Sequence, residues 1–178
     1  KHYWNYAVGI SKNSNEAQRN SYQKPLKKTF MQKEFMIITL ADDDVDDRLF
    51  FEDAFDELKI NTSVSTCNDG VELMEYLTNP ETILPNILFL DLNMPRKNGF
   101  ECLLEIRADK KFDDIAIAIY STSSSEDDIE NTFVHGANIY IKKPSDFNTL
   151  KKVLSEVVTL NWQYHTSGLN KDNFLLRL

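Results

Sequence analysis

Residues with complementary chemistry follow apolar runs of this chain. Asp42-Asp43-Asp44 follows Met36–Ala41, Asp91 follows Ile87–Leu90, Ser121 and Thr122 follow Ile115–Tyr120, and Lys143 comes after Ile139–Lys142. If those runs are parallel strands, their carboxyl ends line one crevice and the polar residues converge there. Asp42 and Asp43 leave the first run side by side, so at least one of them faces the crevice. Clustered carboxylates repel each other unless a cation or protons neutralise them. An oxygen-rich pocket without thiols suits Mg²⁺, and Mg²⁺ suits phosphoryl chemistry. The set therefore reads as a kit for covalent phosphorylation. Asp43 and Asp91 would hold the metal, and Asp91 would keep one oxygen free to attack phosphorus. The Lys143 ammonium would neutralise the transferred group, and the Ser121 hydroxyl would donate a hydrogen bond to it.

The elements before these residues must be strands for that convergence to occur. From Met36 onward the pattern alternates strand and helix five times. Strands are expected at about 36–41, 62–67, 86–91, 115–120 and 138–142, several of them near-continuous apolar runs typical of strands buried on both faces. Helices are expected at about 45–58, 70–78, 99–108, 126–136 and 146–160. The first turns Leu49, Phe51, Ala54, Phe55 and Leu58 toward a core; the last turns Phe147, Leu150, Val153, Leu154, Val157 and Val158 inward. Asn68-Asp69-Gly70 marks a turn, Asn79-Pro80 a helix end, and Ser125 an N-cap followed by acids in the first turn. The loop Leu92–Gly99 is constrained, with Pro95 fixing φ and Gly99 tolerating unusual dihedrals. Such alternation predicts right-handed crossovers and an α/β, doubly wound, five-stranded parallel sheet with helices on both faces.

Composition narrows the class. The 178 residues suffice for one ordinary domain, and 42% hydrophobic with 11% aromatic residues argues for a folded chain. Residues 1–35 hold seven Lys/Arg against two Glu, a net of +5; residues 36–178 hold 13 against 26 acids, a net of −13. The acidic body excludes nucleic acid as its own partner. Cys67 and Cys102 read as two reduced core thiols, and no run is apolar and long enough for a membrane span or a secretion signal. A cytoplasmic protein is expected. Residues 1–35 read as a flexible N-terminal extension or a remnant foreign to the folded unit, with Met31 and Met36 as candidate starts. The folded domain is expected over 36–160. In the tail 161–178, Trp162, Phe174, Leu175, Leu176 and Leu178 predict packing on the same domain or on a second subunit.

The motifs ITLADDD with Arg48 downstream, LDLNMPRKNG, IYSTS and GANIYIKKP, in that order and at strand ends, resemble the receiver domain of bacterial two-component response regulators, the chemotaxis regulator being a well-known relative. The resemblance covers residues 36–160 and implies a flavodoxin-like strand order, 2-1-3-4-5. It implies that Asp42 and Asp43 are the acidic pair, Asp43 binding Mg²⁺ directly and Asp42 through a bound water. It makes Asp91 the phosphoacceptor, the Asn93 backbone carbonyl a further metal ligand, Ser121 the switch hydroxyl, Lys143 the conserved-type lysine and Tyr140 the aromatic that reports phosphorylation. STSSSEDDI and TLNW resemble stand-alone receivers that include partners of bacterial phytochromes. That narrower likeness implies a histidine kinase or phosphotransfer protein upstream, an unidentified protein downstream, and a homodimer through the last strand–helix face. With only 161–178 after the last helix, output is expected to pass by protein contact rather than enzyme turnover.

Blander readings compete at single positions. Tyr140 is also a good strand residue, and His135 before Gly136 is accounted for as a helix end. The spacing Asp42-x-Asp44-x-Asp46 lacks the Gly and Glu of a calcium loop. Two rival functions remain: an Mg²⁺-dependent phosphatase of haloacid dehalogenase type, and a receiver-like module that binds its partner without phosphorylation.

Overall fold

Strand β1 (Met36–Ala41) is the second strand of a sheet in the order β2-β1-β3-β4-β5-β6, in a computed structural model that describes residues 35–164 and 175–176. The other strands are β2 (Thr62–Cys67), β3 (Ile87–Leu90), β4 (Ala116–Ser121), β5 (Ile139–Lys142) and β6 (Leu175–Leu176). All neighbours pair in parallel. Between them run α1 (Val45–Leu58), α2 (Gly70–Thr78), α3 (Gly99–Ala108), a 3₁₀ turn (Lys110–Phe112), α4 (Glu126–Val134) and α5 (Phe147–Tyr164). The expected five-stranded order is present. The two-residue β6, which strand patterning did not predict, adds to it by pairing Leu175 and Leu176 with Tyr140 and Ile141 of β5. The expected N-terminal arm up to residue 34 and the rest of the tail beyond 164 lie outside the described residues.

Strand alternation builds a core on each face. Ile87 and Phe89 of β3 and Ala118 and Tyr120 of β4 face α1 and α5, where Phe51 and Leu154 close the layer. Leu88 and Leu90 of β3 and Ile117 and Ile119 of β4 face α2, α3 and α4, against Leu73 and Leu103. Burial on both faces is why these strands carry almost no polar residue. Cys67 and Cys102 are free and buried, and burial pushes both thiols up to about 12.

Two helix expectations need correction. Leu49 is 53% exposed rather than in the core. The buried stripe of α1 runs Phe51, Ala54, Phe55 with Leu58 half-buried, and Leu49, two residues before Phe51, falls about 200° round the helix from it. Helix α4 stops at Val134, two residues early, because His135 caps it and Gly136 takes φ of 91°.

Candidate functional site

The register of the sheet brings the strand tips together. Ala41 pairs with Leu90, so Asp42 and Asp91 leave adjacent parallel strands side by side, and the Asp91 N–H donates to the Ala41 carbonyl at 2.9 Å. Ser121 pairs with Lys142, and the Lys143 N–H donates to the Ser121 carbonyl at 2.9 Å. Strand pairing alone therefore fixes four of the expected residues at one edge of the sheet.

The three consecutive aspartates do three different things. Asp42 is fully buried, and its Oδ1 accepts from the Asp44 N–H at 3.1 Å. Asp43 is exposed and faces the crevice. Asp44 is the N-cap of α1, its Oδ1 accepting from the N–H groups of Asp46 and Asp47 at 2.8 and 3.3 Å. Arg48, one turn in, donates to the Asp42 carbonyl at 2.6 Å and ties the first helical turn to the strand end. One carboxylate oxygen each from Asp42, Asp43 and Asp91 lies within 4.8 Å of the others.

Lys143 reaches into this cluster. Its Nζ is 2.7 Å from Asp42 Oδ2, 2.8 Å from Asp47 Oδ2 and 3.4 Å from Asp91 Oδ2. The ammonium also stands 5.5 Å from the centre of the Tyr120 ring. Burial alone lowers its pKa, but the hydrogen bonds and charges of Asp42, Asp47 and Asp91 outweigh that and hold it above the ordinary lysine range. Burial pushes the Asp42 carboxyl up to about 6, against the opposing pull of Lys143. The two directions have different causes: burial dominates at Asp42, and the surrounding carboxylates dominate at Lys143.

The loop after Asp91 is locked in place. Pro95 precedes Arg96, which takes a left-handed φ of 64°, and Arg96 Nε donates to Asp69 Oδ2 at 2.7 Å. Asp69 Oδ1 meanwhile caps α2 through the N–H groups of Val71 and Glu72. Asn98 and Glu101 form a reciprocal capping box at the start of α3. The Asn93 N–H donates to Asp91 Oδ1 at 3.3 Å, and Asn93 lines a neighbouring cavity with Leu92 and Met94 rather than the acidic pocket itself. Gly99 was expected to supply an unusual dihedral; its role is instead close approach, since the backbone of Asp91 occupies the space a side chain would need.

On the β4 side the hydroxyls are arranged differently from expectation. Thr122 lines the acidic pocket, while Ser121 lies fully buried with its Oγ accepting from the Ser123 N–H at 3.2 Å. Ser123 anchors the loop to α4 through a 2.6 Å hydrogen bond to Asp128 Oδ2. Tyr140 is buried, and its hydroxyl donates to the Ser123 carbonyl at 3.3 Å. His135 ends α4 with Nδ1 2.7 Å from the Asn131 carbonyl and stacks edge-on with Phe100, far from any site role. Sequence reading missed Asp47. Its signal was present: one helical turn past Asp43, it comes back to the same crevice.

The donors fit a hard divalent cation. They are oxygens only, and Asp42 Oδ2 is fully buried with the Lys143 ammonium at 2.7 Å as its charged neighbour.

Residues 38–155 match the response regulator receiver domain. The chain belongs to that family. This receiver is 35% identical over 89 residues to a chemotaxis protein CheY homologue of Campylobacter jejuni, covering 50% of this chain and 67% of the relative. Its fold resembles the phosphorylated cyanobacterial phytochrome response regulator RcpA with a TM-score of 0.68 and 29% identity, covering 75% of this chain and 98% of the other. The Mn²⁺-bound form of response regulator Rcp1 gives a TM-score of 0.65 at 25% identity, over 76% and 99% of the two chains. Membership of the receiver family separates the chain from the haloacid dehalogenase phosphatases. No helix among the described residues is long and apolar enough to cross a membrane.

Proposed function

We propose that this receiver takes a phosphoryl group from a histidine kinase or phosphotransfer protein onto Asp91 and passes the signal on by protein contact. The observation that carries the reading is the meeting of the Asp42, Asp43 and Asp91 carboxylates within 4.8 Å, with the Lys143 ammonium against them. Asp42, Asp43, Asp91 and the Asn93 carbonyl would hold Mg²⁺, which when bound neutralises charge on a phosphoryl group beside it. An Asp91 carboxylate oxygen forms the new bond to phosphorus as the bond to the donor's imidazole nitrogen breaks, and the imidazole leaves with the electron pair. Lys143, already 3.4 Å from Asp91 Oδ2, neutralises one phosphoryl oxygen, and a hydroxyl at the end of β4 donates to another.

Tyr140 and Ser121 form the switch in this reading. Tyr140 is already inside, bonded to the carbonyl of Ser123, so the loop between β4 and α4 and the ring move together. A phosphoryl group that draws Ser121 toward Asp91 shifts the population toward this inward arrangement and reshapes the face made by α4, β5 and α5. The resemblance to a phytochrome response regulator supports a phytochrome-linked histidine kinase as donor, and membership of the receiver family supports a cytoplasmic setting. Incubation with Mg²⁺ and acetyl phosphate should add one phosphoryl group per wild-type chain and none to Asp91→Asn. Equal labelling of the two proteins would defeat the reading.

A further inference from the structure

We infer that Asp47 is a positioning residue that holds the Lys143 ammonium back from Asp91, trading ease of phosphorylation for affinity toward a divalent cation. The inference rests on Asp91 being the phosphoacceptor. In the structure Lys143 Nζ is 2.8 Å from Asp47 Oδ2 and 2.7 Å from Asp42 Oδ2, but 3.4 Å from Asp91 Oδ2. The ammonium is therefore seated between Asp42 and Asp47, with Asp91 its more distant partner. It cannot swing freely into water: its side chain is only 9% exposed, and the Tyr120 ring lies under it. Its travel is between carboxylates, and a phosphoryl oxygen on Asp91 must draw it away from Asp47.

Asp47 differs from the other carboxylates in place and exposure. It stands in the first turn of α1 rather than at a strand tip, and its side chain is 40% exposed against 0% for Asp42 and 7% for Asp91. It also borders the pocket that contains Asp43 and Asp91. Its negative charge attracts a divalent cation to the pocket, yet it repels an anionic phosphodonor and competes with the phosphoryl group for Lys143. Removing that charge should move the two properties in opposite directions, which a merely structural role would not do.

Asp47→Asn keeps the shape and a hydrogen-bond acceptor while deleting the charge. The test is the intact chain, with Mg²⁺ affinity measured by titration calorimetry and Asp91 labelling by acetyl phosphate measured at saturating Mg²⁺. The expected result is Mg²⁺ binding weakened about threefold and labelling accelerated about three- to tenfold. Asp47→Ser gives the same split and carries the test should the Asn variant fail to fold. In a folded variant, labelling that is unchanged or slower, or Mg²⁺ affinity that is unchanged or tighter, overturns the inference. A wild-type chain that acetyl phosphate does not label at all overturns the phosphoacceptor reading first.

Discussion

Gly99 lies against Asp91 so closely that a Cβ built on it would stand 1.9 Å from the Asp91 carbonyl oxygen. The contact joins the first residue of α3 to the end of β3, and the Gly99 N–H donates to the Leu92 carbonyl at 3.1 Å. Backbone faces backbone, so no flexible side chain can give way. Gly99→Ala must push the loop or the strand end, and we expect a loss of about 3 kcal/mol or more in urea unfolding, at the top of the overpacking range. Gly136→Ala is the contrast. There the cost is the positive φ of 91° alone, with only Arg107 side-chain atoms near, and about 1–2 kcal/mol should be lost.

Asp42 should make the metal-free protein less stable as pH rises through the weakly acidic range. Burial lifts its carboxyl from 3.8 in the unfolded chain to about 6 in the folded one. Between those values the folded state holds a proton that the unfolded state has released, so stability falls with rising pH across that window and stays lower above it. Asp42→Asn has no proton to lose. In chelator-treated protein the wild type should lose about 2 kcal/mol between pH 4 and pH 7 through this group, and the variant should lack that part of the pH dependence. Urea titrations at the two pH values check this.

Arg107 fastens the far end of the sheet. From α3 its guanidinium donates to the carbonyls of Gly136, Phe112 and Ile115 and to Asn138 Oδ1, which also accepts from the Ile117 N–H. One planar cation thus joins α3 to the loops that enter β4 and β5. Burial lowers its pKa from the ordinary arginine value, and Asp113 opposes that. Arg107→Met should cost about 3 kcal/mol by leaving buried carbonyls without donors, and Arg107→Lys should recover little, because an ammonium cannot span the same acceptors. Thermal unfolding of the two variants decides it.

Much of this was legible in the sequence. The helices α1, α2 and α3 run where the apolar spacing, the Asn68-Asp69-Gly70 turn and the Asn79-Pro80 helix end put them, and Asp42, Asp43, Asp91 and Lys143 meet as strand-end positions in a parallel sheet must. What escaped depends on three-dimensional neighbours. Asp47 drew no reading from the sequence, because only the packed sheet shows that Lys143 arrives from 96 residues away. Leu49 looked like core because hydrophobicity alone does not say which side of α1 faces the sheet. The left-handed turn fell to Arg96 rather than Gly99, since the Asp69 carboxylate holds Arg96 from outside the loop. β6, two leucines long, carries no alternation from which a strand could be read.

The account stands on the Asp91 side chain as the atom group that receives phosphorus. The direct measurement is to phosphorylate the chain with Mg²⁺ and acetyl phosphate, reduce the acyl phosphate with borohydride, digest, and locate the altered residue by mass spectrometry. A single reduced position at Asp91, lost when Mg²⁺ is chelated, is the result expected. Reduction at Asp42, Asp43 or Asp47 instead, or labelling indifferent to chelation, would contradict it.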